Sequence, residues 1–141
     1  MVEKEVTKED IQKRIDDWKK RISSLYDMIS EWAASEGRYR CSRRPAIQMY
    51  EELMQKLSVH PEVLELLDVY HGRELVATVK PIGLWIVGAN GRLDILTRNG
   101  VTILVDKAEK FHKPRWVAYG STNGRQTRRF DKRYFVRLIE E

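Results

Sequence analysis

Residues 82–106 read IGLWIVGANGRLDILTRNGVTILVD, three apolar, β-branched runs separated by Asn90-Gly91 and Asn99-Gly100. Asn-Gly between apolar runs signals a two-residue hairpin, because a type I′ turn needs positive φ at both central residues. Pairing outward from the two turns predicts an antiparallel meander of Ile82 to Ala89, Arg92 to Arg98 and Val101 to Asp106. One face then carries Ile86, Ile95 and Leu104. The other carries Trp85, Leu96 and Ile103, with Asp94 between Val87 and Val105. Two apolar faces both need cover, so the sheet is expected to lie against helices or to curl into a small barrel.

Downstream, Asn123-Gly124 predicts a further hairpin between Arg115 to Thr122 and Arg125 to Phe130, and upstream Glu74 to Lys80 reads as one more strand. The last segment fits either a helix capped by Asp131, with Tyr134, Phe135, Leu138 and Ile139 on one side, or a strand through Tyr134, Val136 and Leu138. The helix is the preferred reading.

The N-terminal half has a different period. Ile11, Ile15, Trp18, Ile22, Leu25, Ile29 and Trp32 recur at alternating spacings of four and three, one continuous helical stripe, and Thr7 with Asp10 is a capping-box start. Gly37 is the expected stop. The same spacing fits a coiled coil, but Arg14 would face Lys19 of a parallel second copy, a like-charge contact, and two Trp would sit at seam positions. The stripe is expected to cover the chain's own sheet or a partner, with homo-oligomerisation as the alternative. A second helix is expected from Pro45 through Ile47, Tyr50, Leu53, Met54 and Leu57, and a short third from Pro61 to Gly72. The predicted fold is therefore α+β: a single domain, 1–141, with a helical part over 7–72 and a mainly antiparallel sheet over 74–141.

Composition narrows the function. A length of 141 residues with 42% hydrophobic content supports one core, not two. The single Cys41 excludes an intrachain disulfide, residues 1–10 are too charged for a signal peptide, and the longest apolar run, Ile82 to Ala89, is too short to span a bilayer. A cytoplasmic protein with no membrane partner is expected. No Gly-rich loop ends in Lys and Ser or Thr, and His60, His71 and His112 share no ligand spacing, so neither a cofactor nor a metal is expected.

Two residues remain as candidates for catalysis. Cys41 lies among Arg38, Arg40, Arg43 and Arg44, ahead of the expected Pro45 helix, where cations and a helix N-terminus would lower a thiol pKa. A phosphatase-like Cys-x5-Arg loop would need Arg where Ile47 stands. Asp94, a carboxylate among apolar neighbours, is expected to be paired with Arg92 or Arg98 rather than to act as an acid. With no acid, base and nucleophile set, the expectation is a non-enzyme.

Charge is segregated along the chain. Residues 37–50 hold four cations and no anion, and residues 107–141 hold ten cations against four anions, while residues 51–72 hold one cation against five anions. In the C-terminal segment the cations alternate with Phe111, Trp116, Tyr119, Phe130, Tyr134 and Phe135. Cations that track phosphates beside aromatics that stack on bases suit nucleic acid, DNA or RNA. The expected contacts are Arg38, Arg40, Arg43, Arg44, Arg125, Arg128, Arg129, Lys132 and Arg133. The alternative is a protein-interaction subunit, an adaptor or inhibitor, that docks an acidic partner or presents the Ile11 to Trp32 stripe.

Overall fold

The computed structural model describes residues 6–85, 89–109, 111–120 and 127–140. A long helix α1 (Lys8–Ser35) opens the chain, and the capping box is formed in both directions. Thr7 Oγ1 accepts from the Asp10 N–H, and the Asp10 carboxylate accepts from the Thr7 N–H, each at 3.1 Å. Beyond the helix, Gly37 reverses the chain at φ +75°.

Seven strands follow as an open antiparallel meander in sequence order: β1 (Tyr39–Met49), β2 (Glu62–His71), β3 (Glu74–Gly83), β4 (Arg92–Thr97), β5 (Gly100–Asp106), β6 (Trp116–Tyr119) and β7 (Arg128–Arg129). A short helix α2 (Glu52–Lys56) interrupts between β1 and β2, and α3 (Lys132–Glu140) ends the fold. The α3 cap is as expected, with the Tyr134 N–H donating to Asp131 Oδ1 at 2.9 Å. The sheet is not closed into a barrel; β1 and β7 are its two edges.

The α1 stripe is covered by this sheet. Ile11, Ile15, Trp18, Ile22, Leu25 and Ile29 are all buried and join Leu67, Val79, Leu93, Ile95, Leu104 and Ala118 in one core, while Trp32 packs edge-on against Phe130 at 5.6 Å between ring centres. Burying such side chains contributes about 1.5–3 kcal/mol each, which makes this packing the main stabiliser of the fold. Nothing of the buried part of the stripe is left to meet a partner.

Three expectations about local structure are corrected. The segment from Pro45 to Leu57 is not one helix: Pro45, Ile47 and Met49 lie in β1, and only Glu52–Lys56 is helical. Register shifts between Pro45 and Ile47, so Ala46 is a bulge that resets the alternation of side chains. Pro is accommodated because β1 is an edge strand. The segment after Pro61 is β2, not a helix; it buries Leu66 and Asp68 on one face and Leu67 and Val69 on the other, and a strand buried on both faces loses its period-two pattern.

The third correction concerns the turns. β4 pairs with Glu74–Gly83, placing Asp94 opposite Lys80, rather than with a strand centred on Ile86 and Val87, which lie outside the described residues. Asn90-Gly91 is therefore no hairpin turn. At Gly91, φ is +102° and a Cβ would stand 2.4 Å from the Trp18 ring, so glycine is required for helix and sheet to approach. The second turn forms between Thr97 and Gly100, with the positive φ at Gly100, one residue earlier than expected. The resulting two-residue change in pairing leaves every side chain on its expected face, so Ile95 and Leu104 still point into the core.

Candidate nucleic-acid interface

Four arginines lie at or beside the start of β1, and the fold gives three of them acidic partners. Arg38 Nη2 donates to Glu140 Oε1 at 2.8 Å, Arg43 Nη2 to Asp27 Oδ1 at 2.5 Å, and Arg44 Nε to Asp68 Oδ2 at 2.6 Å. Arg43 also donates to Ser23 and lies over the Tyr26 ring. Arg44 is held above its ordinary value by the Asp68 hydrogen bond. Arg40, on the same face of β1 as Arg44, stacks its guanidinium on Tyr70 at 4.4 Å. This segment balances the chain's own acids.

The C-terminal cations are arranged differently. Arg128, Arg129, Lys132 and Arg133 are exposed, and among the described residues none has an ion-pair partner. Arg125 lies outside the described residues. β6 pairs with β7, Val117 opposite Arg129, and the Phe130 N–H donates to the Trp116 carbonyl at 3.1 Å. That pairing brings the start of α3 beside Arg115, the last residue of the β5–β6 connection. Lys107, Lys113 and Arg115 on that connection are exposed as well, and Arg115 Nη2 donates to the Lys107 carbonyl. The β6–β7 edge, the connection and the first turn of α3 thus lie next to one another, and each carries exposed cations.

Buried charge fixes that connection. Arg21, on the inner side of α1, is 3% exposed and donates to Asp17 Oδ2 at 2.6 Å, to Asp106 Oδ2 and to the His112 carbonyl. Burial alone would lower its pKa, but the hydrogen bonds and charges of Asp17 and Asp106 outweigh that and raise it. Asp106 Oδ1 also accepts from the Ala108 and Arg115 N–H groups at 2.9 and 3.0 Å. Asn90 adds a third tie: its amide donates to the Ala108 carbonyl, and its oxygen accepts from Arg14 at 3.4 Å. Sequence reasoning did not single out this network, since Arg21 lies beside Ile22, outside the apolar stripe, and its partner Asp106 is 85 residues away.

The remaining candidates sit as follows. Asp94 is bound bidentately by Arg92, at 2.9 and 3.2 Å, on the sheet face away from α1. Cys41 is half-buried in β1; burial raises its pKa, against a lowering hydrogen bond with Ser30, and no helix begins at Pro45 to oppose the shift. His60, His71 and His112 lie apart, and among the described residues no group of His, Cys, Asp and Glu could hold a metal ion. A cleft of about 460 Å³ opens between the end of α3, the start of β1 and two strand turns, lined by Arg38, Tyr39, His71, Glu74, Arg98 and Glu140 among others. Its two arginines are matched by two glutamates, so it is no anion trap. No helix of the described residues is long and apolar enough to cross a membrane.

Comparison of the chain with protein families, curated proteins and solved structures finds no match in any of the three.

Proposed function

We propose that this chain is a small non-enzymatic nucleic-acid-binding module whose contact surface is the β6–β7 edge, the 107–115 connection and the start of α3. One observation carries the reading: among the described residues the cations here have no acidic partners, whereas most of those at the start of β1 are neutralised within the fold. Free cations on one surface attract a phosphate backbone and release its counterions on binding. Of the nine residues expected at the outset, Arg128, Arg129, Lys132 and Arg133 belong to this surface, joined by Lys107, Lys113 and Arg115. Arg38, Arg43 and Arg44 do not. Electrophoretic mobility with single- and double-stranded DNA and RNA across a salt series tests the proposal. Binding that weakens with salt supports it; no binding at low salt, or binding indifferent to salt, overturns it.

A second reading, a protein-interaction subunit, is favoured by three exposed apolar side chains on the sheet face away from α1, Leu75, Leu96 and Val101. This moves the partner surface from α1 to the opposite side of the sheet. Sedimentation across a concentration range tests self-association there, and a concentration-independent monomer removes the homo-oligomer form of this reading.

A further inference from the structure

Phe111 is 57% exposed and sits at φ +62°. A bulky aromatic in the left-handed region is strained, and a ring this exposed has little packing to offset the strain. The strain is imposed by the loop's anchors. The Lys107 N–H donates to the Arg115 carbonyl at 2.9 Å, and the His112 N–H to the Glu109 carbonyl at 3.1 Å. Asp106, Asn90 and Arg21 hold Ala108, Arg115 and the His112 carbonyl from the interior. The ring is thus left exposed on a loop held by residues fixed in the core, and Lys107, Lys113 and Arg115 are exposed on the same loop.

We infer that Phe111 is a stacking platform for an unpaired base of single-stranded nucleic acid, with the flanking cations on the adjacent phosphates. This rests on the nucleic-acid reading above and deepens it. A lone flat ring among cations matches a strand that offers a base face beside each phosphate. The same loop suits a lipid surface less well, because one aromatic among charged neighbours gives little apolar area to insert. A duplex, whose bases are already stacked on each other, reaches the cations but not the ring.

Fluorescence anisotropy with a labelled oligothymidylate, a DNA duplex and vesicles of anionic phospholipid separates these outcomes for the wild type, Phe111→Ala, Phe111→Gly and Phe111→Trp. The expected result is a loss of about tenfold in single-strand affinity for the Ala and Gly variants. Phe111→Trp is expected to retain affinity, duplex binding is expected to hold in all four proteins, and no variant is expected to lose thermal stability. Single-strand binding by Phe111→Ala equal to that of the wild type overturns the inference, as does an equal loss on duplex. A wild type that binds neither oligonucleotide overturns the nucleic-acid reading itself. Phe111-dependent binding to vesicles alone replaces the base with a membrane surface.

Discussion

Arg21 on α1 and Asp106 at the end of β5, 85 residues apart in sequence, form an ion pair in which both side chains are buried. Breaking a buried pair by removing one partner leaves an uncompensated charge, at a cost of about 3–5 kcal/mol. Arg21→Ala is therefore expected to lower stability by about that amount in urea denaturation. Arg21→Lys should recover little of it, because one ammonium cannot reach Asp17, Asp106 and the His112 carbonyl in the geometry of the guanidinium fork. A lysine variant as stable as the wild type would show that charge alone suffices.

Gly91→Ala places a methyl group 2.4–2.8 Å from three atoms of the Trp18 ring, at φ +102°. Overpacking and backbone strain together predict a loss of about 2–4 kcal/mol. At Gly72 a Cβ meets nothing within 4 Å, although φ is +63°. Gly72→Ala is expected to cost about 1 kcal/mol, from strain alone. Thermal midpoints compare the two, and equal shifts would contradict the close approach of Trp18.

Phe111→Gly relieves the left-handed strain but frees the unfolded chain. The two effects are of order 1–3 and 0.5–1 kcal/mol, so the variant should be as stable as the wild type or more so, by up to about 2.5 kcal/mol. A marked loss of stability would mean that the ring has a structural role.

Alkaline pH has a worked-out sign. Burial raises the pKa values of the Cys41 thiol and the Tyr26 hydroxyl above their ordinary 9.0 and 10.0. Their contribution to stability is fully present below those values and is lost as pH rises, since the unfolded chain ionises first. Denaturation midpoints should be flat in this respect near neutrality and fall above about pH 9. Cys41→Ser should remove the thiol part of that fall, and Tyr26→Phe the phenol part. Tyr26→Phe also leaves the Glu65 carbonyl without its 2.7 Å donor, at a cost of about 1 kcal/mol at every pH. Unchanged alkaline branches in both variants would contradict the burial of these groups.

The sequence carried the parts of the fold whose signals are local. The Thr7–Asp10 cap and the 3–4 spacing from Ile11 to Trp32 specify α1 without reference to anything else, and the Asp131 cap does the same for α3. Legibility failed where tertiary structure overrides local pattern. Ile47, Tyr50, Leu53, Met54 and Leu57 mimic a helical stripe, yet they span the end of β1, a loop and α2, with the Ala46 bulge breaking the strand period just ahead. Asn90-Gly91 has hairpin chemistry but serves the approach of Trp18 and the tie to Ala108. For the candidate site, charge segregation was visible in the sequence, but the division between neutralised and free cations was not. That division depends on Asp27, Asp68 and Glu140, which approach Arg43, Arg44 and Arg38 only once the chain is folded.

Whether the free cations at the β6–β7 edge hold a phosphate backbone is decided by the salt dependence of single-strand affinity. Anisotropy follows it for the wild type and for a variant with Arg128, Arg129, Lys132 and Arg133 all changed to Ala. A companion variant with Arg38, Arg43 and Arg44 changed to Ala serves as the control. The first variant is expected to bind far more weakly, with a slope of log K against log salt shallower by roughly 0.7 for each phosphate no longer neutralised. The control is expected to keep the wild-type slope. Equal slopes in the wild type and the first variant, or a greater weakening in the control, would contradict phosphate binding at this edge.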